Sequence, residues 1–189
     1  MIKIPTIFDR NWDGDRKVNA TLLVTDFDFE RALATEKLDG TNVRVTIRNH
    51  TLVRLEKRRN PSKLQKKQGI KDPWYVEASE SDKADAYIFE AARNTDYSDV
   101  PDGEWSAEAL GPKIQGNPLQ LEKHTLFIFT LESWKRKVTY DNVPADFEGL
   151  KAWLPAQKSK FGNDCGIEGI VWHDLETGRM CKIKVKDFQ

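Results

Sequence analysis

The sequence is poor in the residues that build disulfide and zinc scaffolds. Its two cysteines, Cys165 and Cys181, form no C-x-x-C pair. That excludes a disulfide framework and makes a reducing, cytoplasmic setting the expectation. The three histidines, His50, His124 and His173, are scattered and offer no zinc-ligand spacing. No apolar run approaches the length that spans a bilayer, and the first ten residues lack the layout of a signal peptide. Charge of one sign is not in excess either: 30 Lys and Arg balance 30 Asp and Glu. Net charge therefore gives no reason of its own to expect nucleic acid. Repeats and low-complexity tracts are absent.

What is present is a polar chain with enough large apolar groups for a core: 39% hydrophobic and 10% aromatic residues in 189. Length and composition predict one soluble globular domain over 1–189. The charge is unevenly placed. Arg54, Lys57, Arg58, Arg59, Lys63, Lys66 and Lys67 stand against Glu56 alone. Such a run describes a solvated loop, and equally a face that meets phosphates.

Periodicity predicts mostly strands. Arg31 to Glu36 reads as a strand entering a turn at Asp39-Gly40. Val43, Val45 and Ile47 alternate with Arg44, Thr46 and Arg48, the period of a half-buried strand. Asn49-His50 suits a hairpin turn, with Thr51 to Glu56 returning. The basic stretch follows, broken by Pro61 and Gly69. Ser81 is a candidate N-cap for a helix presenting Ala84, Tyr87, Ile88, Ala91 and Ala92 on one face. Glu104 to Leu110 and His124 to Leu131 read as strands. Phe147, Leu150, Trp153 and Leu154 are at helical spacing, and Ile167 to Trp172 and Met180 to Val185 are two more strands. The sum is an α+β fold with antiparallel sheets.

The chemistry concentrates in short motifs. In Glu36-Lys37-Leu38-Asp39-Gly40-Thr41-Asn42, a lysine at a strand end precedes a close turn, which sets an amine at the lip of a sheet. A lysine there can act as a nucleophile once deprotonated, and Gly40 lets backbone approach a ligand. Alone, Lys37-Leu38-Asp39-Gly40 also describes a surface hairpin with a solvated lysine. Further along stand Leu55-Glu56-Lys57-Arg58, then Glu104 and Glu108 before Gly111, then Leu126-Phe127-Ile128-Phe129-Thr130. Ile167-Glu168-Gly169-Ile170-Val171 offers a carboxylate of the hard kind that suits Mg²⁺. In Cys181-Lys182-Ile183-Lys184-Val185-Lys186, alternation puts three lysines on one strand face.

These motifs, in this order from about Glu36 to Phe188, resemble those of the covalent nucleotidyltransferases: ATP-dependent DNA ligases, RNA ligases and mRNA capping enzymes. E-K-x-x-G-T-N is most similar to phage-type RNA ligases that seal nicks. DNA ligases usually carry an arginine where Asn42 stands, so the resemblance favours RNA over DNA. It implies an antiparallel-sheet ligase adenylation fold, ATP-grasp-like. Lys37 is then the nucleophile that takes AMP from ATP, with Mg²⁺ or Mn²⁺ as the metal. Glu36 and Asn42 flank it at the nucleotide, and Arg58, with Lys57 and Arg54 as rivals, meets nucleotide or phosphate. Glu108 binds ribose hydroxyls or metal, Phe129 (rival Phe127) stacks on adenine, and Glu168 holds the metal. Lys184 and Lys186, with Lys182 as rival, hold the triphosphate and stabilise charge. Nucleic acid falls to Arg54, Lys57 and Arg59. Relatives usually append an OB-fold or helical C-terminal domain. This sequence shows none, so a homo-oligomer or a partner supplying that function is an expectation. Trp74, Tyr75 and Trp134 are stacking candidates. A minimal DNA ligase, a GTP-dependent capping-type transferase and a degenerate domain binding nucleic-acid ends remain as alternatives.

Overall fold

The computed structural model describes residues 1–189. The chain runs β1 (Phe8–Arg10), β2 (Val18–Leu22), β3 (Leu33–Glu36), β4 (Thr41–Arg48), β5 (Thr51–Arg59), α1 (Lys63–Lys67), β6 (Trp74–Glu77) and α2 (Ala86–Arg93). It continues through β7 (Gly103–Leu110), β8 (Thr125–Ile128), α3 (Leu131–Lys137), α4 (Phe147–Trp153), β9 (Gly169–His173) and β10 (Met180–Lys184). All the sheet pairings are antiparallel, so the α+β expectation holds. No helix is long and apolar enough to cross a membrane.

The chain forms two compact units, one of residues 1–3 with 39–133, the other of 4–38 with 134–189. The first is built on a five-stranded sheet of order β6-β5-β4-β7-β8. Alternation along β4 buries Val43, Val45 and Ile47 completely, and they share a core with Leu55, Ala107 and Ala109 and with Ile88, Ala91 and Ala92 of α2. The β4–β5 hairpin turns at Asn49 and His50 with φ of 48° and 58°, the left-handed pair that matches strand twist.

The second unit is built on a three-stranded sheet, β10-β9-β3. Ala34, Ile170, Trp172, Cys181 and Ile183 pack from one face of it against Leu150 and Leu154. α4 starts where Asp146 accepts from the Gly149 amide at 2.8 Å, an ordinary N-cap.

Several local expectations are corrected. β5 runs on to Arg59 and is followed by α1, so the basic stretch is largely regular structure rather than loop. Ser81 caps no helix: Asp82, accepting from the Ala84 amide, caps a 3₁₀ turn over Lys83–Asp85 that precedes α2, and α2 itself has no side-chain cap. α2 begins only at Ala86, leaving Ala84 and Tyr87 exposed. β8 stops at Ile128, and Leu131 starts a helix. β10 ends at Lys184 because the chain bends into a 3₁₀ turn over Val185–Phe188, where Asp187 accepts from the Lys184 amide. Strands β1, β2 and β6 lie in segments whose patterns were too short or too mixed to read.

Candidate active site

Lys37 extends β3 by one residue: its amide donates to the carbonyl of Gly169 at 2.9 Å. Alternation then separates it from its neighbour. Glu36 lies on the core face of the three-stranded sheet, paired with Ile170, while Thr35 and Lys37 lie on the other. Register places Lys182 opposite Val171 and Lys184 opposite Gly169, on the same face as Thr35. Lys37, Lys182 and Lys184 are therefore one set, and Lys186 is not. It sits in the 3₁₀ turn, exposed, which corrects the expectation of three lysines on one strand face.

The Lys37 amine lies 2.7 Å from Oε2 of Glu168. Glu168 is held by its own backbone, whose carbonyl accepts from the Val185 amide at 2.9 Å. Gly169 is required beside it: a Cβ there would stand 2.1 Å from the Ile183 carbonyl oxygen. The Lys184 amine is held below its ordinary pKa, first by burial, then by the positive Lys186 and Lys37; Asp187 and Glu168 oppose this. At the far end of the same face, His173 is buried, with Nε2 2.9 Å from Thr35 Oγ1 and its ring 4.1 Å from that of Trp134. Burial pushes its pKa down to about 4, so it is neutral near pH 7.

Glu36 makes its contacts on the other face of the sheet. Its carboxylate is 4% exposed and accepts from Ser159 Oγ at 2.6 Å, the Lys160 amide at 2.9 Å and the Tyr140 hydroxyl at 3.4 Å. Burial holds its pKa above the ordinary carboxylate value, and these donors offset only part of that rise. Its side chain ties the 159–161 loop to β3, on the side of the sheet away from Lys37.

In the first unit, one face of the five-stranded sheet carries Asn42, Arg44, Glu56, Arg58, Tyr75, Ser106 and Glu108 at matched register positions. Glu108 Oε1 accepts from the Gly40 amide at 3.1 Å. Gly40 is needed for this closeness, since a Cβ would stand 2.2 Å from the Ala109 carbonyl oxygen. The Asn42 amide is already oriented: it donates to Ser106 Oγ and the Ala107 carbonyl and accepts from the Tyr75 hydroxyl at 2.7 Å. One face of the Tyr75 ring is covered by the Arg44 guanidinium, 4.7 Å from its centroid. Of the two phenylalanines, Phe127 is 3% exposed and belongs to the interior, whereas Phe129 lies past the strand end and is half-buried.

The basic candidates separate. Arg54 pairs with Glu77 and Glu56. Lys57 points to the opposite face and pairs with Asp82 and Asp85. Arg58 alone of the three stands on the Asn42–Glu108 face with no carboxylate partner. Arg59 is exposed at the register position of Trp74. Sequence reasoning missed the Glu36–Ser159–Tyr140 cluster and the Tyr75–Asn42–Ser106 cluster. Their members are far apart in the chain and carry no local motif.

The fold these sheets make is like that of part of RNA ligase chains of known structure. Among solved structures, the chain is similar to a Naegleria gruberi RNA ligase in a substituted, unliganded form, with TM-score 0.51, 15% identity, and coverage of 84% of this chain and 50% of that one. It is also similar to a Naegleria gruberi RNA ligase with pyrophosphate, with TM-score 0.50, 15% identity, and coverage of 98% and 62%. The chain thus spans between half and about three-fifths of the ligase chains it matches. No protein-family model matches the sequence, and no curated protein does.

Proposed function

We propose that this chain is the adenylyltransferase of an ATP-dependent polynucleotide ligase, acting on RNA, with Lys37 as the nucleophile. The observation that carries the reading is the lysine face beside Glu168: an amine at a strand end, a carboxylate 2.7 Å away and two further lysines aligned by register. Such a face suits a triphosphate. It offers a nucleophile and fixed positive charge for the phosphate oxygens.

Attack needs the neutral amine, and Glu168 is in reach to take its proton. Lys37 Nζ then forms a bond to the α-phosphorus while the bond to the bridging oxygen of the β-phosphate breaks, and pyrophosphate leaves. A lysyl-AMP phosphoramidate remains. A terminal 5′-phosphate oxygen of a nucleic acid next displaces the lysine from phosphorus. Finally a 3′-hydroxyl attacks the activated 5′-phosphate, closing the phosphodiester and releasing AMP. Lys182 and Lys184 stabilise negative charge in the first step; Lys186, exposed in its turn, has the smaller part. Asn42, Arg58, Glu108 and Phe129 are the proposed contacts of the nucleotide. Glu36 acts at one remove, by holding the loop behind β3.

No cluster of three or more carboxylate, histidine or cysteine groups suits a protein-held metal. Glu168 as a single hard ligand fits Mg²⁺ or Mn²⁺ carried mainly by substrate phosphates and water. Such a cation supplies charge neutralisation on the phosphates.

Covalent labelling tests the reading. The protein is stripped with pyrophosphate, incubated with α-labelled ATP and Mg²⁺, and run on a denaturing gel. Label on the natural chain and none on Lys37→Ala is expected. Absence of label on the stripped natural chain, or persistence on Lys37→Ala, overturns the assignment of Lys37.

A further inference from the structure

We infer that the segment from Arg58 to Lys71 is a preformed track for a nucleic-acid backbone. The choice of nucleic acid as the polyanion rests on the ligase reading. The array itself rests on the following observations.

Between Glu56 and Asp72 the chain has no acidic residue. Of the seven cations in that interval, the fold neutralises one, Lys57, through Asp82 and Asp85. Arg58, Arg59, Lys63, Lys66, Lys67 and Lys71 are all exposed and take part in none of the ion pairs. Neighbouring and distant cations of this chain do find partners: Arg44 and Arg54 both reach Glu56, and Arg31 reaches Asp174 and Glu176. Six like charges gathered without a counter-charge repel one another, and that cost is relieved when phosphates displace bound counterions.

The array is also held in shape. Ser62 Oγ accepts from the Gln65 amide and Gln65 Oε1 from the Ser62 amide, a reciprocal cap at the start of α1. At the other end, Gly69 adopts φ of 90°, and the Gly69 and Ile70 amides donate to the carbonyls of Lys66 and Gln65. Pro61 and Pro73 are buried at the two limits. Lys63, Lys66 and Lys67, spaced three and four apart, share one face of α1. Two of them also suit the helix C-terminus, but that leaves the other four cations without an account. A backbone already fixed beneath the charges loses little freedom of its own on binding, which leaves only the side chains to order. It is continuous with the sheet face of Asn42 and Glu108 through Arg58, which stands beside Tyr75 on that face.

This assignment moves the nucleic-acid contact away from Arg54 and Lys57, whose charges the fold already satisfies, and towards α1. Arg59 stays in it.

The test measures binding of a labelled, nicked RNA duplex by fluorescence anisotropy, without ATP, across a salt series. The full chain is compared with Lys63→Gln/Lys66→Gln/Lys67→Gln and with a control that removes equal charge elsewhere, Lys83→Gln/Lys123→Gln/Lys151→Gln. Thermal melting checks that each variant is folded. The first variant should bind about tenfold or more weakly at 0.1 M salt, with a salt slope shallower by about two, while the control stays near the natural chain. Equal loss in both variants would mean net charge alone, and unchanged RNA binding by the first would remove the track; either overturns the proposal. So does binding to phosphatidylserine vesicles that needs these lysines when RNA binding does not. RNA binding that depends on α1 in a chain that never labels with AMP keeps the track and sinks the ligase reading. AMP labelling with RNA affinity indifferent to α1 does the reverse.

Discussion

Lys37 Nζ and Glu168 Oε2 stand 2.7 Å apart although 131 residues separate them in the chain. The pair forms because the Lys37 amide prolongs the β3–β9 ladder onto Gly169, so strand register sets the distance. Glu168→Gln keeps the shape but loses the charge and the ability to take a proton. AMP uptake should fall by about 10²-fold or more, with melting little changed. Single-turnover labelling measures it. Uptake near the natural rate would leave Glu168 as a structural counter-ion.

Register also ranks the three lysines of the last motif. Lys184→Ala should reduce AMP uptake by about 10²-fold or more, as expected for a group that stabilises developing charge. Lys182→Ala should follow it. Lys186→Ala, in the exposed turn, should cost far less. The same labelling assay compares them. If Lys186→Ala is as damaging as Lys184→Ala, the sheet face is not where the phosphates bind.

Gly169→Ala puts a methyl group 2.1 Å from the Ile183 carbonyl and 2.8 Å from the Lys184 Cα. Backbone must move, and overpacking of this kind costs about 1–3 kcal/mol. Because the Gly169 carbonyl also receives the Lys37 amide, AMP uptake should fall with stability. Denaturant unfolding measures the first and labelling the second. Natural stability in this variant would mean that the two strands are less tightly apposed.

His173 makes stability depend on pH. Burial lowers its pKa from 6.5 to about 4. Between those values the unfolded chain binds the proton and the folded chain does not, so stability is full above 6.5 and is lost as pH falls towards 4. The shift corresponds to about 3 kcal/mol at most. His173→Gln should flatten the curve by up to one proton across that window. Urea unfolding between pH 7 and 4 (an experimental range of about three units) measures it. An unchanged slope would mean that His173 takes its proton without unfolding.

Much of this protein follows from local pattern. The period of two in Val43, Val45 and Ile47, the left-handed pair at Asn49-His50 and the helical spacing before Pro155 each carry their own structural cause within a few residues. The motif order singled out Lys37, Glu108, Glu168 and the lysine strand as candidates, and AMP labelling tests them. The choices that remained were tertiary. Whether Arg58 or Lys57 belongs with Asn42 depends on which face of β5 each occupies, and that follows from pairing with β4 and β6. Whether Lys182 or Lys186 joins Lys184 depends on where β10 bends, which Asp187 decides by accepting from the Lys184 amide. Glu36 looked like a neighbour of the nucleophile because it precedes it, yet a strand sends consecutive side chains to opposite faces, and its partners Ser159 and Tyr140 lie far along the chain. Sequence sets which chemical groups exist and the period in which they occur. Strand register, a product of long-range packing, decides which of them meet.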